Sequence, residues 1–188
     1  MAEPTRHWCK KMKTLFRATD VEKKGYVTEE DLLKRTDMVL EIYPDVDIEK
    51  MRHETKRSWI EYCNCGVQVP EGYRLTESQF IQNMWLTIRR PSFKQIMDDV
   101  SAKFMEQMDV QKKGHITKEE YIELFMKIAE PVGTLTREHA SASFDAIDKK
   151  QCGKIVHKDV VEAMHFYYTD TDSVDHPLNL LQGALVED

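Results

Sequence analysis

Residues 16–33 read FRATDVEKKGYVTEEDLL, and this stretch decides the fold. Asp20 is followed five residues later by Gly25, then by the β-branched Val27, then by Asp31, eleven residues after the first aspartate. The same frame returns in 105–122, MEQMDVQKKGHITKEEYI, with Asp109, Gly114, Ile116 and Glu120. It returns again in 144–161, FDAIDKKQCGKIVHKDVV, with Asp148, Gly153, Ile155 and Asp159. A unit repeated three times fixes the architecture before any single residue does.

Each element of the frame has a physical task, and together they describe an EF-hand loop. The leading aspartate ligates an ion at the end of one helix, the sixth-position glycine permits a sharp turn, and the twelfth-position acid opens the next helix and closes on the ion. The β-branched eighth residue suits a short extended segment that pairs with a partner loop. Apolar residues flank the loops at helical spacing: Trp8, Met12, Leu15 and Phe16 before the first, Tyr121, Leu124, Phe125 and Ile128 after the second. Such loops pair, so a fourth is expected. Residues 47–64 read as a helix, 65–76 as a turn-rich loop holding Gly66, Pro70 and Gly72, and 77–89 as an exiting helix. Leu75 takes the eighth-position role there, and no run of carboxylates is present. The fold class is therefore all-α, with an N-terminal pair over 1–90 (loops 20–31 and about 65–76), a C-terminal pair over 92–170 (loops 109–120 and 148–159), and a closing tail over 171–188.

Calcium requires six to eight oxygen ligands. The first loop offers Asp20, Glu22, Tyr26 (by its carbonyl), Thr28 and Asp31, but places Lys24 at the fifth position. The 109–120 loop offers Asp109, Gln111, His115 (by its carbonyl), Thr117 and Glu120, with Lys113 at the fifth position. The 148–159 loop has Lys150, Cys152 and Val156 where oxygens belong. An ammonium has no acceptor to give, and a like charge at about 4 Å opposes a unit cation by ~4 kcal/mol at an effective dielectric near 20. Calcium binding is thus expected to be weak or lost, with the first two residue sets as the weak candidates. The lysines have a second reading: Lys24 and Lys113 neutralise the clustered carboxylates internally and hold the loops closed without metal.

The chain has 188 residues, 41% hydrophobic and 32% charged, with a net charge of −6. No basic stripe suggests nucleic acid, no apolar run suggests a membrane span, and the start, MAEP, has no apolar signal core; a cytoplasmic location is expected. Cys9, Cys63, Cys65 and Cys152 are read as reduced thiols, since Cys63 and Cys65 lack companions at zinc-ligand spacing. No nucleophile–base pair supports an enzyme.

With these residues in view, the chain resembles the invertebrate sarcoplasmic calcium-binding proteins. Within that group it is similar to coelenterazine-binding protein, with calexcitin and the calcium-regulated photoproteins as wider relatives. The likeness rests on 10–14, KKMKT, running into the first loop, on the Gly- and Pro-containing second loop, on Trp59 and Trp85, and on the tail 176–186, HPLNLLQGALV. It implies two EF-hand pairs facing each other as one unit around an apolar interior that holds a small molecule. Residues suited to lining such an interior are Trp8, Phe16, Trp59, Trp85, Phe104, Met105, Met108, Phe125, Phe144, Met164, Phe166 and Tyr167. The expected function is that of a degenerate EF-hand protein carrying a small apolar ligand. The alternative is a low-affinity calcium or magnesium buffer or sensor. A third reading, recognition of a partner helix in an open groove, is opposed by Leu178, Leu180, Leu181, Leu185 and Val186, which are suited to covering such a groove.

Overall fold

The two short antiparallel ladders show how the loops pair. In a computed structural model that describes residues 3–42, 47–109, 111–129 and 135–186, strand β1 (Tyr26–Val27) lies against β2 (Leu75–Thr76), and β3 (Ile116–Thr117) against β4 (Lys154–Ile155). The side chains at 39, 42, 104, 107, 108, 128 and 129 lie outside this description. Val27 faces Leu75 and Ile116 faces Ile155, and all four are fully buried. The eighth-position residues of the four loops therefore meet in pairs, including the loop that has no carboxylates.

Eight α-helices are described: α1 (Arg6–Thr19), α2 (Glu29–Ile42), α3 (Ile48–Ser58), α4 (Glu77–Thr87), α5 (Phe93–Met108), α6 (Lys118–Ala129), α7 (Arg137–Ile147) and α8 (His157–Thr169). Their starts are chemically marked. Thr5 accepts from the Trp8 N–H at α1, Asp47 from the Lys50 N–H at α3, and Thr76 with Gln79 forms a capping box at α4. The sixth-position glycines Gly25, Gly114 and Gly153 have φ of 79°, 76° and 72°, the left-handed conformation that the loop turn demands.

The helix expected over 47–64 is not uniform. After Ser58 it widens into a π-helical turn, Trp59–Cys63. Carbonyls of this turn also accept from side chains: Asn64 Nδ2 donates to Trp59 O (2.8 Å), Asn83 Nδ2 to Cys63 O (3.0 Å), Thr87 Oγ1 to Tyr62 O (3.1 Å) and Arg90 Nη1 to Glu61 O (3.0 Å). Gly66 (φ 77°) leaves room for the Arg90 side chain, which a Cβ there would meet at 2.8 Å.

The tail returns to the first helix. A 3-10 turn, Pro177–Gln182, packs against α7, α1 and α8 and buries Leu178 and Leu181. Val186 N donates to Thr14 Oγ1 at 3.1 Å. Helix α1 is also clasped to α8: Trp8 Nε1 donates to Tyr168 O (2.7 Å), Tyr167 OH to Lys11 O (3.1 Å), and Lys11 Nζ to Asp170 O (2.6 Å). Burial pushes the Lys11 ammonium down to about 8, against the opposing pull of Asp170. No described helix is long and apolar enough to cross a membrane.

Candidate functional site

The three acidic loops are closed by their own side chains. In the first, Asp20 accepts from the backbone N–H groups of Lys24 (2.9 Å) and Gly25 (2.7 Å). Asp31 accepts from Lys24 Nζ at 2.6 Å and from Thr28 through both N–H and hydroxyl, at 2.8 and 3.0 Å. The 109–120 loop repeats the design. Lys113 Nζ donates to Glu120 at 2.6 Å, Thr117 donates twice to the same carboxylate, and Asp109 takes the Lys113 and Gly114 N–H groups. In the 148–159 loop no lysine enters. Asp148 accepts from Gly153 N (2.6 Å), Cys152 N (3.2 Å) and the Cys152 thiol (3.5 Å).

Electrostatics follow the geometry. The Lys113 ammonium, then the Thr117 N–H, hold Glu120 down to about 2. Burial pushes Asp31 up, but the Lys24 ammonium and Thr28 outweigh it and the net shift is downward. Lys24 is raised by its bond to Asp31. Of the residues expected as weak calcium ligands, Asp20, Thr28 and Asp31 converge on donors within the loop, as do Asp109, Thr117 and Glu120. Glu22 lies at the rim, 3.5 Å from Lys24, Gln111 is exposed, Tyr26 packs under the cations of Lys24 and Arg74, and the His115 ring nitrogen sits 3.2 Å from Lys113 O. Among the described residues no group of three or more His, Cys, Asp or Glu side chains gathers as a metal site.

The interior holds a cavity of about 380 Å3, within the ~300–1,000 Å3 range of small-molecule sites. All eight helices, the π-turn and the tail contribute to its wall. Large apolar groups are present: Phe80, Tyr121, Phe125, Met164, Tyr167 and Tyr168. Between them stand small residues, Ala18, Thr19, Thr36, Thr55, Ser58 and Ala163, and these create the space. Arg35 borders the same cavity from α2, one turn from Leu32 and beside Thr36. The π-turn carries Tyr62 and Cys63 to the wall. Burial pushes the Cys63 thiol up to about 12, so it is an inert wall group.

Of the residues expected to line the interior, Phe125, Met164 and Tyr167 stand on the cavity wall. Trp8, Phe16, Trp59, Met105 and Phe144 are buried in the surrounding core, and Trp85 and Phe166 pack against it. Phe104 and Met108 lie outside the residues whose side chains are described. Arg35, Tyr62 and Tyr168 are wall residues that the apolar pattern alone does not select. A cation on the inward side of an amphipathic helix, at Arg35, is the signal that points to them. A second cleft of about 490 Å3, between α2 and α3, is lined mostly by charged side chains such as Lys34, Asp37, Glu49 and Arg52 and lacks an apolar wall.

Comparison with solved structures places this cavity in context. Okadaic acid binding protein 2.1 is 42% identical in sequence, with each chain covered completely and a TM-score of 0.87. The chain belongs to the same family as okadaic acid binding protein 2.1. Members of this family share their fold with more distant proteins. Coelenterazine-binding protein from Renilla muelleri, in its calcium-loaded apo form, is 18% identical over 95% of this chain and 96% of its own, with a TM-score of 0.65. The apoaequorin complex with (S)-HM-daCTZ is 12% identical over 96% and 93%, with a TM-score of 0.73. The EF-hand architecture read from the three loops is thus the architecture of the family. No protein-family model matches the chain, and no curated protein sequence does.

Proposed function

We propose that this chain is a metal-independent carrier of a small apolar ligand, held in the cavity bordered by Phe125, Met164 and Tyr167. The observation that carries the reading is the cavity itself, apolar and walled by all eight helices, in a shell whose acidic loops are closed by Lys24, Lys113 and Cys152. In this reading calcium binding is weak or lost. The twelfth-position acids Asp31 and Glu120 are satisfied by an ammonium, so a divalent ion must first displace a bonded lysine.

A relative with 42% identity is named for okadaic acid, which makes okadaic acid the first ligand to test. The protein is titrated with okadaic acid by calorimetry in buffer with excess chelator and again in 1 mM calcium. Submicromolar binding, equal in the two buffers, is the expected result. Binding that appears only with calcium removes metal independence, and no heat in either buffer removes this ligand. The buffer alternative is tested in the same instrument: calcium alone produces no saturable heat below millimolar concentration.

A further inference from the structure

Arg35 is a cation in an apolar place. Its guanidinium makes one long hydrogen bond, from Nη1 to Thr19 Oγ1 at 3.4 Å, and among the described residues no carboxylate pairs with it. Arg17, Arg52, Arg57 and Arg90, by contrast, reach the carboxylates of Glu77, Asp37, Asp99 and Glu61. Among the ionisable groups, the Tyr168 phenol acts on the Arg35 charge. Tyr168 in turn packs edge-on against Tyr62 at 5.4 Å between ring centroids; the buried Tyr62 hydroxyl interacts with the Tyr168 side chain but makes no hydrogen bond of good geometry. All three side chains line the same cavity. A cation set into an apolar wall without an anion, beside buried phenol hydroxyls that have spare hydrogen-bonding capacity, is costly unless something in the cavity completes it.

We propose that Arg35, with the Tyr62 and Tyr168 hydroxyls, forms an anion seat at one end of the cavity, so that the ligand class is an apolar molecule bearing one carboxylate. This rests on the carrier reading above and adds the chemistry that selects among ligands. The guanidinium supplies two parallel N–H donors to the carboxylate. The phenol hydroxyls add neutral donors that bond more strongly to a carboxylate than to an uncharged end. The rest of the wall, from Leu15 through Phe80 and Phe125 to Val160, accepts the apolar body and gives no further charge. Discrimination against an uncharged analogue then comes from leaving Arg35 without its counter-charge, which penalises the wrong ligand more than apolar contacts can repay.

The test uses the full chain and two fluorescent probes that differ at one end, cis-parinaric acid and its methyl ester, at pH 7.4. The acid is expected to bind at least tenfold more tightly than the ester. Arg35→Met brings the acid to the affinity of the ester and leaves the ester within about twofold; Arg35→Lys recovers part of the difference. Tyr62→Phe weakens the acid two- to fivefold and spares the ester. Equal affinities of acid and ester for the unmodified chain overturn the anion seat while leaving the carrier reading in place. Binding of neither probe overturns both. If Arg35→Met fails to fold by circular dichroism, the acid–ester comparison on the unmodified chain, with Arg35→Lys and Tyr62→Phe, still decides.

Discussion

The Lys24 ammonium lies 2.6 Å from the Asp31 carboxylate, inside a loop whose other buried carboxylate, Asp20, is already held by two backbone N–H groups. Lysine thereby stands where the loop frame would hold a metal, and the same relation recurs between Lys113 and Glu120. In the carrier reading proposed above, the loop keeps its shape without an ion because the charge it would need is built in.

Replacing that charge should restore an ion requirement. The double substitution Lys24→Asn with Asp31→Glu puts an amide oxygen at the fifth position and a longer carboxylate at the twelfth. These join Asp20, Glu22 and Thr28 as oxygen donors. Without metal this variant is expected to be less stable by roughly 1–3 kcal/mol, the usual worth of a charge-assisted hydrogen bond. Calcium should then bind with a dissociation constant below about 1 mM and restore the lost stability. Urea midpoints with chelator and with 5 mM calcium check it. An unmodified chain that gains as much from calcium as the variant contradicts the account.

Acid should loosen the C-terminal loops first through Glu120. Its carboxyl is held at about 2, below the ordinary 4.5, chiefly by Lys113. The folded state therefore binds this proton more weakly than the unfolded chain does. The resulting stabilisation is complete above about pH 4.5 and is lost as the pH falls towards 2. Urea midpoints of the unmodified chain should fall across that window, and those of Glu120→Gln should fall less steeply. Parallel slopes for the two proteins would assign the acid sensitivity to other groups.

Much of this was legible in the residues. Asp20, Gly25, Val27 and Asp31, repeated twice more, carry the loops, and the apolar spacing around them carries the helices. The Val27–Leu75 pairing follows from the same count even though the second loop has lost its carboxylates. The cavity was less legible, for a physical reason. Selecting large apolar residues selects those that fill space: Trp8, Met12 and Phe144 are fully buried and packed against neighbours. A void forms where facing helices carry small residues, as at Ala18, Ser58 and Ala163, and which small residues face each other depends on helix crossings that no single periodicity encodes. The π-helical turn that turns Tyr62 inward is similarly silent in the sequence.

Entry to the cavity should be sensitive to salt. Thr55, Ser58, Val100 and Met164 border both the cavity and a smaller surface pocket between α3, α5 and α8, closed on its outer side by Met51, Glu54 and Lys103. Ion pairs lace α3 to α5 across this seam: Lys103 to Glu54, Arg57 to Asp99 at 2.8 Å and Lys50 to Glu106 at 3.1 Å. Exposed pairs contribute about 0.2–1 kcal/mol each and are screened by salt. Raising sodium chloride from 0.05 to 0.5 M, or substituting Lys103→Met, should speed ligand release by roughly two- to fivefold on that energy scale. Stopped-flow dissociation rates measure it, and a rate unmoved by both changes places the exit elsewhere.

Filling the cavity separates binding from stability more cleanly than removing any wall. Ala163 on α8 is 4% exposed and borders the cavity between Val160 and Tyr167. Most enlargements of a packed core cost about 1–3 kcal/mol in strain, but a side chain that grows into an existing space gains apolar contact instead. Ala163→Leu adds three carbons toward that space. Each buried methylene is worth about 0.8 kcal/mol, so the unliganded protein should unfold at an equal or higher temperature. The ligand must compete with the new side chain for the same volume, and its affinity should drop at least tenfold. Leu178→Ala serves as the contrast. Leu178 is buried in the tail away from the cavity wall, so its truncation should cost about 2–5 kcal/mol while shifting affinity little. If Ala163→Leu is destabilised as Leu178→Ala is, yet binds ligand at full strength, the ligand does not occupy this cavity.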